Sequence, residues 1–190
     1  MRIGLYILIG LFGSSSYIAG LHQALMGKYK PSVFSRVVWL LLAINTFAGV
    51  VASKSSKASL FLAVIFLLGN ATMCVVSFWK GTYTMGKLEW VCLLLLLLSV
   101  VLWFSIDAPL INLSIGLLAH LLGALPTYRR VWHDSSTEST AFWSLFFIAS
   151  VLSLAASLHE PVQKILFPMY FALFDGSMTA LSLRRIKSSN

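Results

Sequence analysis

Seven long apolar segments, separated by short polar connections, dominate this sequence. Each is close to the roughly 20 apolar residues that are needed to cross the hydrocarbon core of a bilayer. The segments are Ile3–Met26, Val33–Val51, Ala58–Trp79, Leu88–Ser105, Pro109–Thr127, Ser139–Ser157 and Val162–Leu183. A span in lipid must satisfy its own backbone hydrogen bonds, so we predict that all seven are α-helices. The predicted fold class is an all-α integral membrane protein.

The composition supports this class. Hydrophobic residues make up 58% of the chain and charged residues 11%, whereas about a quarter of a soluble domain is charged. The first apolar run continues to Met26 without a small-residue cleavage site, so we expect a first span and not a cleaved signal peptide. The two cysteines, Cys74 and Cys92, fall inside predicted spans, where buried thiols are expected.

The basic residues are divided unequally between the two sides that seven spans define. The richer side has Lys28, Lys30, Lys80, Lys87, Arg129, Arg130, Arg184, Arg185 and Lys187, and the other has Arg2, Lys54, Lys57 and Lys164. The positive-inside rule makes the richer side cytoplasmic. We therefore predict a multi-pass protein of the cell (inner) membrane with an external N-terminus and a cytoplasmic C-terminus. The net charge of +8 then reflects topology and contact with membrane lipid, and no nucleic-acid partner is expected.

The sequence contains a weak internal repeat. A shift of 104 residues places the second span on the sixth, and a shift of 105 places the third on the seventh. At the first offset Ser32, Ser35, Trp39, Leu41 and Ile44 match Ser136, Ser139, Trp143, Leu145 and Ile148. At the second offset Phe66, Leu68, Met73 and Ser77 match Phe171, Leu173, Met178 and Ser182, and Asn70 falls on Asp175. The alternative is chance similarity between apolar helices.

A repeat of three spans needs a spare helix if both copies are to have the same orientation. The fourth span has no strongly polar residue through its middle, as is expected of a helix that faces lipid or fills space. The predicted architecture is 3+1+3, with two parallel three-helix repeats joined by a linker helix. The corresponding divisions are residues 1–79, 80–108 and 109–190.

Polar residues from six of the seven spans fall at one depth. At about 1.5 Å of rise per residue, they lie about 16–20 Å into a core about 30 Å thick. These residues are Ser14, Asn45, Asn70, His120, Ser150 and Asp175. Ionisable groups at that depth usually face the bundle interior and pair, so we expect Asp175 to contact His120. The alternative is that Asp175 only links helices by hydrogen bonds.

Four further residues are candidates for a role in the site or its motion. Ser16 belongs to the serine run of the first span, and close helix packing is the alternative role for a small residue there. Trp39 and Trp143 lie one or two turns toward the cytoplasmic side, where each can cover a planar or apolar face of a solute or serve as an interfacial tryptophan. Pro126, at the end of the fifth span, is the candidate hinge.

The segment LPTYRRVWHDSSTESTAFW, together with the Asn70/Asp175 pair, resembles the SWEET and PQ-loop transporter superfamily, in its bacterial-type seven-helix form. The resemblance implies a 3+1+3 fold, an external N-terminus and carriage of sugars or, in some relatives, amino acids with protons. It also implies that Asn70 and Asp175 line the central substrate pocket, since the family places asparagine in the third and seventh helices. Thr127 follows Pro126 where the family motif has glutamine, and the first repeat has His22 and Gln23 without a proline.

The predicted function is therefore a membrane carrier for a small polar solute, a sugar or an amino acid or amine, by alternating access. The predicted substrate-binding residues are Asn70, Asp175, His120, Asn45, Trp39, Trp143 and Ser16. The sequence has no metal-ligand spacing, phosphate loop or nucleophile elbow, so no enzyme activity, cofactor or metal is predicted. The alternatives are a receptor or assembly subunit and a lipid-handling protein, and a homo-oligomer is possible. A central water-accessible cavity favours the carrier, a buried helix contact favours the subunit, and a lipid-facing groove favours lipid handling.

Overall fold

The computed structural model describes residues 2–27, 32–83, 86–106, 108–135 and 138–184, and those residues form seven α-helices and no strand. The helices are α1 Arg2–Leu25, α2 Val33–Ala52, α3 Lys57–Lys80, α4 Lys87–Ile106, α5 Pro109–His133, α6 Thr140–Ser157 and α7 Val162–Leu183. Six are long and apolar enough to cross a bilayer, and α4 contains a shorter apolar stretch, Glu89–Ser105. The all-α prediction is confirmed.

The helices begin and end close to the predicted spans, with one clear difference in α5. The predicted span ends at Thr127, but α5 continues through Pro126 to His133. Hydropathy detects only the apolar part of a helix, and this last segment is amphipathic, because Val131 is fully buried while Trp132 is exposed. Lys28, Lys30, Arg185 and Lys187, which support the predicted orientation, and Ser136 of the repeat lie outside the described residues.

Serine residues begin three of the helices. Each N-cap side chain accepts a hydrogen bond from the backbone N–H three residues later, in the first turn of its helix. These serines are Ser32 for α2, Ser56 for α3 and Ser139 for α6. A serine N-cap satisfies one of the free backbone donors at a helix start. In a bundle with polar helix ends, these caps fix where each helix begins.

The seven helices pack into one bundle. Helix α1 packs against α6 and α3, while α2 packs against α3 and α5. Helix α7 packs against α6, α5 and α3, and α4 lies at the margin against α5 and α2. The outer face of α4 exposes large apolar side chains such as Leu94, Leu97 and Phe104, as is expected of a lipid-facing surface.

Candidate functional site

A cavity of about 230 Å³ lies inside the bundle, and residues from all seven helices line it. It extends from its inner limit, formed by Phe66, Asn70, Phe171 and Asp175 near the middle of α3 and α7, to Gln23, Ser32 and Glu138 beside the α1–α2 and α5–α6 connections. We call this half the cavity end of the bundle. The opposite half, where α3 and α7 begin and α6 ends, is called the sealed end. A cavity of this size fits a small solute.

Asn70 lies at the inner limit of the cavity, and its side chain is 2% exposed. Its amide nitrogen donates to the carbonyl oxygen of Phe66, at 2.8 Å, and to the hydroxyl of Tyr17, at 3.1 Å. Tyr17 comes from α1, so the second of these bonds joins α1 to α3. The amide is thereby held in a fixed orientation beside the cavity.

Asp175 is the matching residue of α7, and its side chain is 1% exposed. The carboxylate accepts one hydrogen bond, from the hydroxyl of Ser150 on α6, at 3.1 Å. Among the described residues no lysine, arginine or histidine forms an ion pair with it. A buried carboxyl group with one neutral partner is stable as a carboxylate only when a cation pairs with it, so a cationic ligand could complete this site.

His120 does not form the expected pair with Asp175. Its Nδ1 shares a hydrogen bond with the hydroxyl of Tyr170, at 2.8 Å. Tyr170 is five residues before Asp175 on α7 and faces α5, whereas Asp175 is bonded to α6. The two residues share a depth but meet different helices. His120 Nε2 is buried without a partner in the described part of the chain.

Trp39 and Trp143 both line the cavity. The Trp39 ring lies 4.6 Å from that of His120 and the Trp143 ring 5.8 Å from that of Phe174, measured between centroids. Trp143 is 5% exposed, which excludes the alternative of an interfacial position for it. Its Nε1 has no hydrogen-bond partner among the described residues, so the structure presents a free donor at the cavity wall.

Five predicted residues, Asn70, Asp175, His120, Trp39 and Trp143, thus surround one cavity. Comparisons with family models, curated proteins and solved structures give no match to this chain.

Ser16 and Asn45 do not line the cavity, although they were predicted to do so. The Ser16 hydroxyl donates to the carbonyl of Gly13 in its own helix, at 2.8 Å. The Asn45 amide donates to the hydroxyl of Ser99 on α4, at 3.2 Å. Both side chains have the right depth but face helix contacts. Their positions here are those of packing residues.

Three charged residues that were not predicted line the cavity near its end: Arg36, Glu89 and Glu138. Glu89 comes from α4, the predicted linker helix, and accepts a 2.6 Å hydrogen bond from the hydroxyl of Ser35. These residues lie at the ends of predicted spans, where charge is expected for topology alone. No signal in the sequence distinguishes a cavity position from an ordinary polar flank.

Hydrogen bonds close the sealed end between α3, α6 and α7. The hydroxyls of Ser56 and Ser157 are 2.6 Å apart. The backbone N–H of Ser56 and the hydroxyl of Ser59 both donate to the carbonyl of Lys164, at 3.2 and 3.1 Å. Deeper in the bundle, the rings of Phe66, Phe167 and Phe171 fill the space toward the cavity, with centroids 4.7 to 6.2 Å apart.

Pro168, inside α7, explains why the Lys164 carbonyl is available. Proline has no N–H, so the carbonyl four residues earlier loses its partner within the helix. That carbonyl belongs to Lys164, and α3 supplies two donors in its place. The predicted hinge, Pro126, lies in a helix that continues seven residues beyond it, to His133. Pro168 was missed, although a proline inside an apolar span is itself a signal for such a feature.

Proposed function

We propose that this protein is a membrane carrier that moves a small polar solute by alternating access. The solute binds between Asn70 and Asp175. The observation that carries the proposal is a cavity that reaches the middle of the bundle from one end and is closed from the other. A receptor or assembly subunit has no need of this asymmetry, and a lipid-handling protein needs a groove along its outer face.

Contacts across the bundle support the parallel 3+1+3 repeat. The repeat makes α1 equivalent to α5, α2 to α6 and α3 to α7. Under this exchange α1–α3 becomes α5–α7, α2–α3 becomes α6–α7, and α1–α6 becomes α2–α5. All six pairs are neighbours in the structure. One pair, α3 with α6, packs more closely than its counterpart. Near a two-fold axis each residue meets its own equivalent. Phe66 and Phe171, 105 residues apart, have ring centroids 4.7 Å apart.

The resemblance to the SWEET and PQ-loop superfamily agrees with this arrangement. Asn70 and Asp175, which the resemblance assigns to the substrate pocket, both line the cavity. The geometry favours Pro168 as the hinge. Pro168 leaves the Lys164 carbonyl without a partner in α7, and the hydrogen bonds that this carbonyl accepts from Ser56 and Ser59 must break for the sealed end to open. Each neutral hydrogen bond contributes about 1 kcal/mol net. Breaking these bonds therefore adds little to the free-energy difference between the closed and open states.

The proposed orientation gives a direct test. With the N-terminus outside, Lys54 is external and Lys187 is cytoplasmic. In a background that lacks Cys74 and Cys92, an impermeant thiol reagent added to intact cells should label Lys54→Cys and spare Lys187→Cys until the membrane is permeabilised. The reverse labelling order would overturn the orientation and place the cavity end outside.

Alternating access predicts that one residue can be reached from both sides of the membrane. In the same background, Asn70→Cys should react with a small impermeant methanethiosulfonate both in intact cells and in inverted vesicles. The reaction should be faster from the cavity end, because the structure is already open there. A receptor or static subunit has only this one route, so labelling from a single side would contradict the carrier.

Leu68→Cys is the matched control for depth. Leu68 is two residues from Asn70 on α3, but its side chain is 60% exposed on the outer surface of the bundle. A thiol there faces lipid and should stay unlabelled from both sides. Labelling of Leu68→Cys would show that the reagent enters the membrane and would invalidate the two-sided result.

A further inference from the structure

We infer that the cavity selects small organic cations, with an ammonium group between the Asp175 carboxylate and the aromatic walls. This inference rests on the proposed carrier function and names the class of its solute. It needs three features: an excess of negative charge in the cavity, an uncompensated carboxylate at its inner limit, and surfaces that accept a cation without water.

The charge of the cavity is opposite to that of the chain. The sequence has 14 lysine and arginine residues and 6 acidic ones. Among the described residues, the cavity is lined by three of the acidic residues, Glu89, Glu138 and Asp175, and by one basic residue, Arg36. A cleft of one sign with low-dielectric walls concentrates ions of the opposite sign. These lining charges favour a cation over an anion inside the cavity.

Asp175 is placed to receive that cation. It lies at the inner limit of the cavity, and its hydrogen bond to Ser150 leaves one carboxylate oxygen, Oδ1, without a bond among the described residues. A carboxylate at this depth in a membrane protein normally has a partner of opposite charge. Because the described part of the chain supplies none, a cationic solute would complete the pair.

The walls suit an ammonium head group. Eight Phe, Trp and Tyr side chains line the cavity, among them Trp39, Phe66, Trp143 and Phe174. Aromatic faces attract cations, including quaternary ammonium groups that cannot donate hydrogen bonds. A sugar needs a partner for each of its hydroxyls. The polar side chains of the cavity lie mostly toward the cavity end, among them Ser32, Ser35 and Ser139, whereas aromatic rings surround the inner limit beside Asp175. The surface therefore favours a compact cation over a polyhydroxylated neutral solute.

The unpartnered ring nitrogens suggest what the rest of the solute carries. The N–H of Trp143 can donate to a hydroxyl or carbonyl oxygen, and Nε2 of His120 is also buried without a partner in the described part of the chain. A small ammonium compound with one oxygen function, such as an amino alcohol, carries one group for Asp175 and one for Trp143. It also fits a cavity of about 230 Å³.

Choline and its neutral isostere 3,3-dimethyl-1-butanol provide the test, because they differ in charge and hardly in shape. Purified full-length protein in proteoliposomes should take up labelled choline in a saturable manner. The isostere should compete about tenfold or more weakly, since it lacks the attraction to Asp175 and the aromatic faces. Asp175→Asn should lose choline uptake and binding by at least about tenfold, with an unchanged melting temperature in detergent.

Glu160→Gln is the matched control, because it removes a carboxylate outside the cavity, where Glu160 is bonded to Lys164. It should leave choline uptake unchanged. Equal competition by the isostere, or uptake of labelled glucose in place of choline, would overturn the cation inference and leave the carrier intact. Saturable choline binding without uptake, together with one-sided labelling of Asn70→Cys, would support the cation site and overturn the carrier.

Discussion

Oxidation of a Ser56→Cys/Ser157→Cys double variant should stop transport completely and reversibly. The hydroxyl oxygens of the two serines are 2.6 Å apart at the sealed end, and both side chains are buried. A disulfide needs sulfurs about 2 Å apart with Cβ atoms about 4 Å apart, so this pair is close enough to link. The bond would join the start of α3 to the end of α6, the two elements that must separate for the sealed end to open.

The expected effect is large because the native closure is noncovalent. Three hydrogen bonds hold Ser56, Ser59, Ser157 and the Lys164 carbonyl together, and each contributes about 1 kcal/mol. Thermal fluctuation and solute binding can break them, whereas a disulfide holds until it is reduced. Choline uptake should fall to the level of empty liposomes after oxidation and return after addition of dithiothreitol.

A readout that needs no solute separates the gate from the identity of the substrate. In a triple variant that also carries Asn70→Cys, oxidation first consumes the pair at the sealed end. The remaining thiol should then react with an impermeant reagent from the cavity end alone. As controls, Asn70→Cys should keep two-sided labelling under the same oxidant when it is combined with Ser56→Cys alone or with Ser157→Cys alone. Two-sided labelling of the oxidised triple variant would mean that the solute path does not pass between α3 and α6.

The number of helices and most of their limits could be predicted from the sequence because hydropathy reports apolar spans directly, whereas the amphipathic last turns of α5 escaped it. Depth along the membrane normal also followed from residue counting, since each helical residue rises by about 1.5 Å. Counting does not give the direction in which a side chain points around its helix, and successive residues differ there by about 100°. Ser16 and Asn45 were misplaced for this reason, and His120 met Tyr170 instead of Asp175.

The rim of the cavity and its closure could not be predicted, because both depend on which helices are neighbours. Glu89 lines the cavity since α4 packs beside α2, where Ser35 donates to it. The seal depends on a backbone carbonyl, and a carbonyl has no side-chain identity in the sequence. Only the i−4 rule for proline connects Pro168 to Lys164. The donors Ser56 and Ser59 become relevant once α3 is placed beside α7.

Replacement of Gly69 by alanine should destabilise the bundle and remove solute binding together. A Cβ at this position would overlap atoms of the Tyr17 ring. The ring cannot turn away freely, because Phe142 and Phe146 pack against it edge-on with centroids 5.4 and 5.5 Å away. Either α1 moves away from α3 or Tyr17 leaves its place. Both movements break the 3.1 Å hydrogen bond from the Asn70 amide to the Tyr17 hydroxyl.

We expect Gly69→Ala to lower the free energy of unfolding by about 1–3 kcal/mol, the usual effect of overpacking a filled core, and to abolish choline binding. The gain of about 1 kcal/mol in helix propensity from glycine to alanine acts in the opposite direction. Gly4→Ala on α1 isolates that term, because a Cβ there would meet nothing within 4 Å, and it should be neutral or stabilising. Melting curves in detergent measure both variants.

Addition of Tyr17→Leu to Gly69→Ala should restore part of the stability, since the smaller side chain relieves the overlap. It should not restore choline binding, since the hydroxyl beside Asn70 is gone. Such non-additivity is the signature of direct contact. If Gly69→Ala is as stable as Gly4→Ala, Tyr17 does not pack over Gly69, and the helix contact that positions Asn70 is wrong.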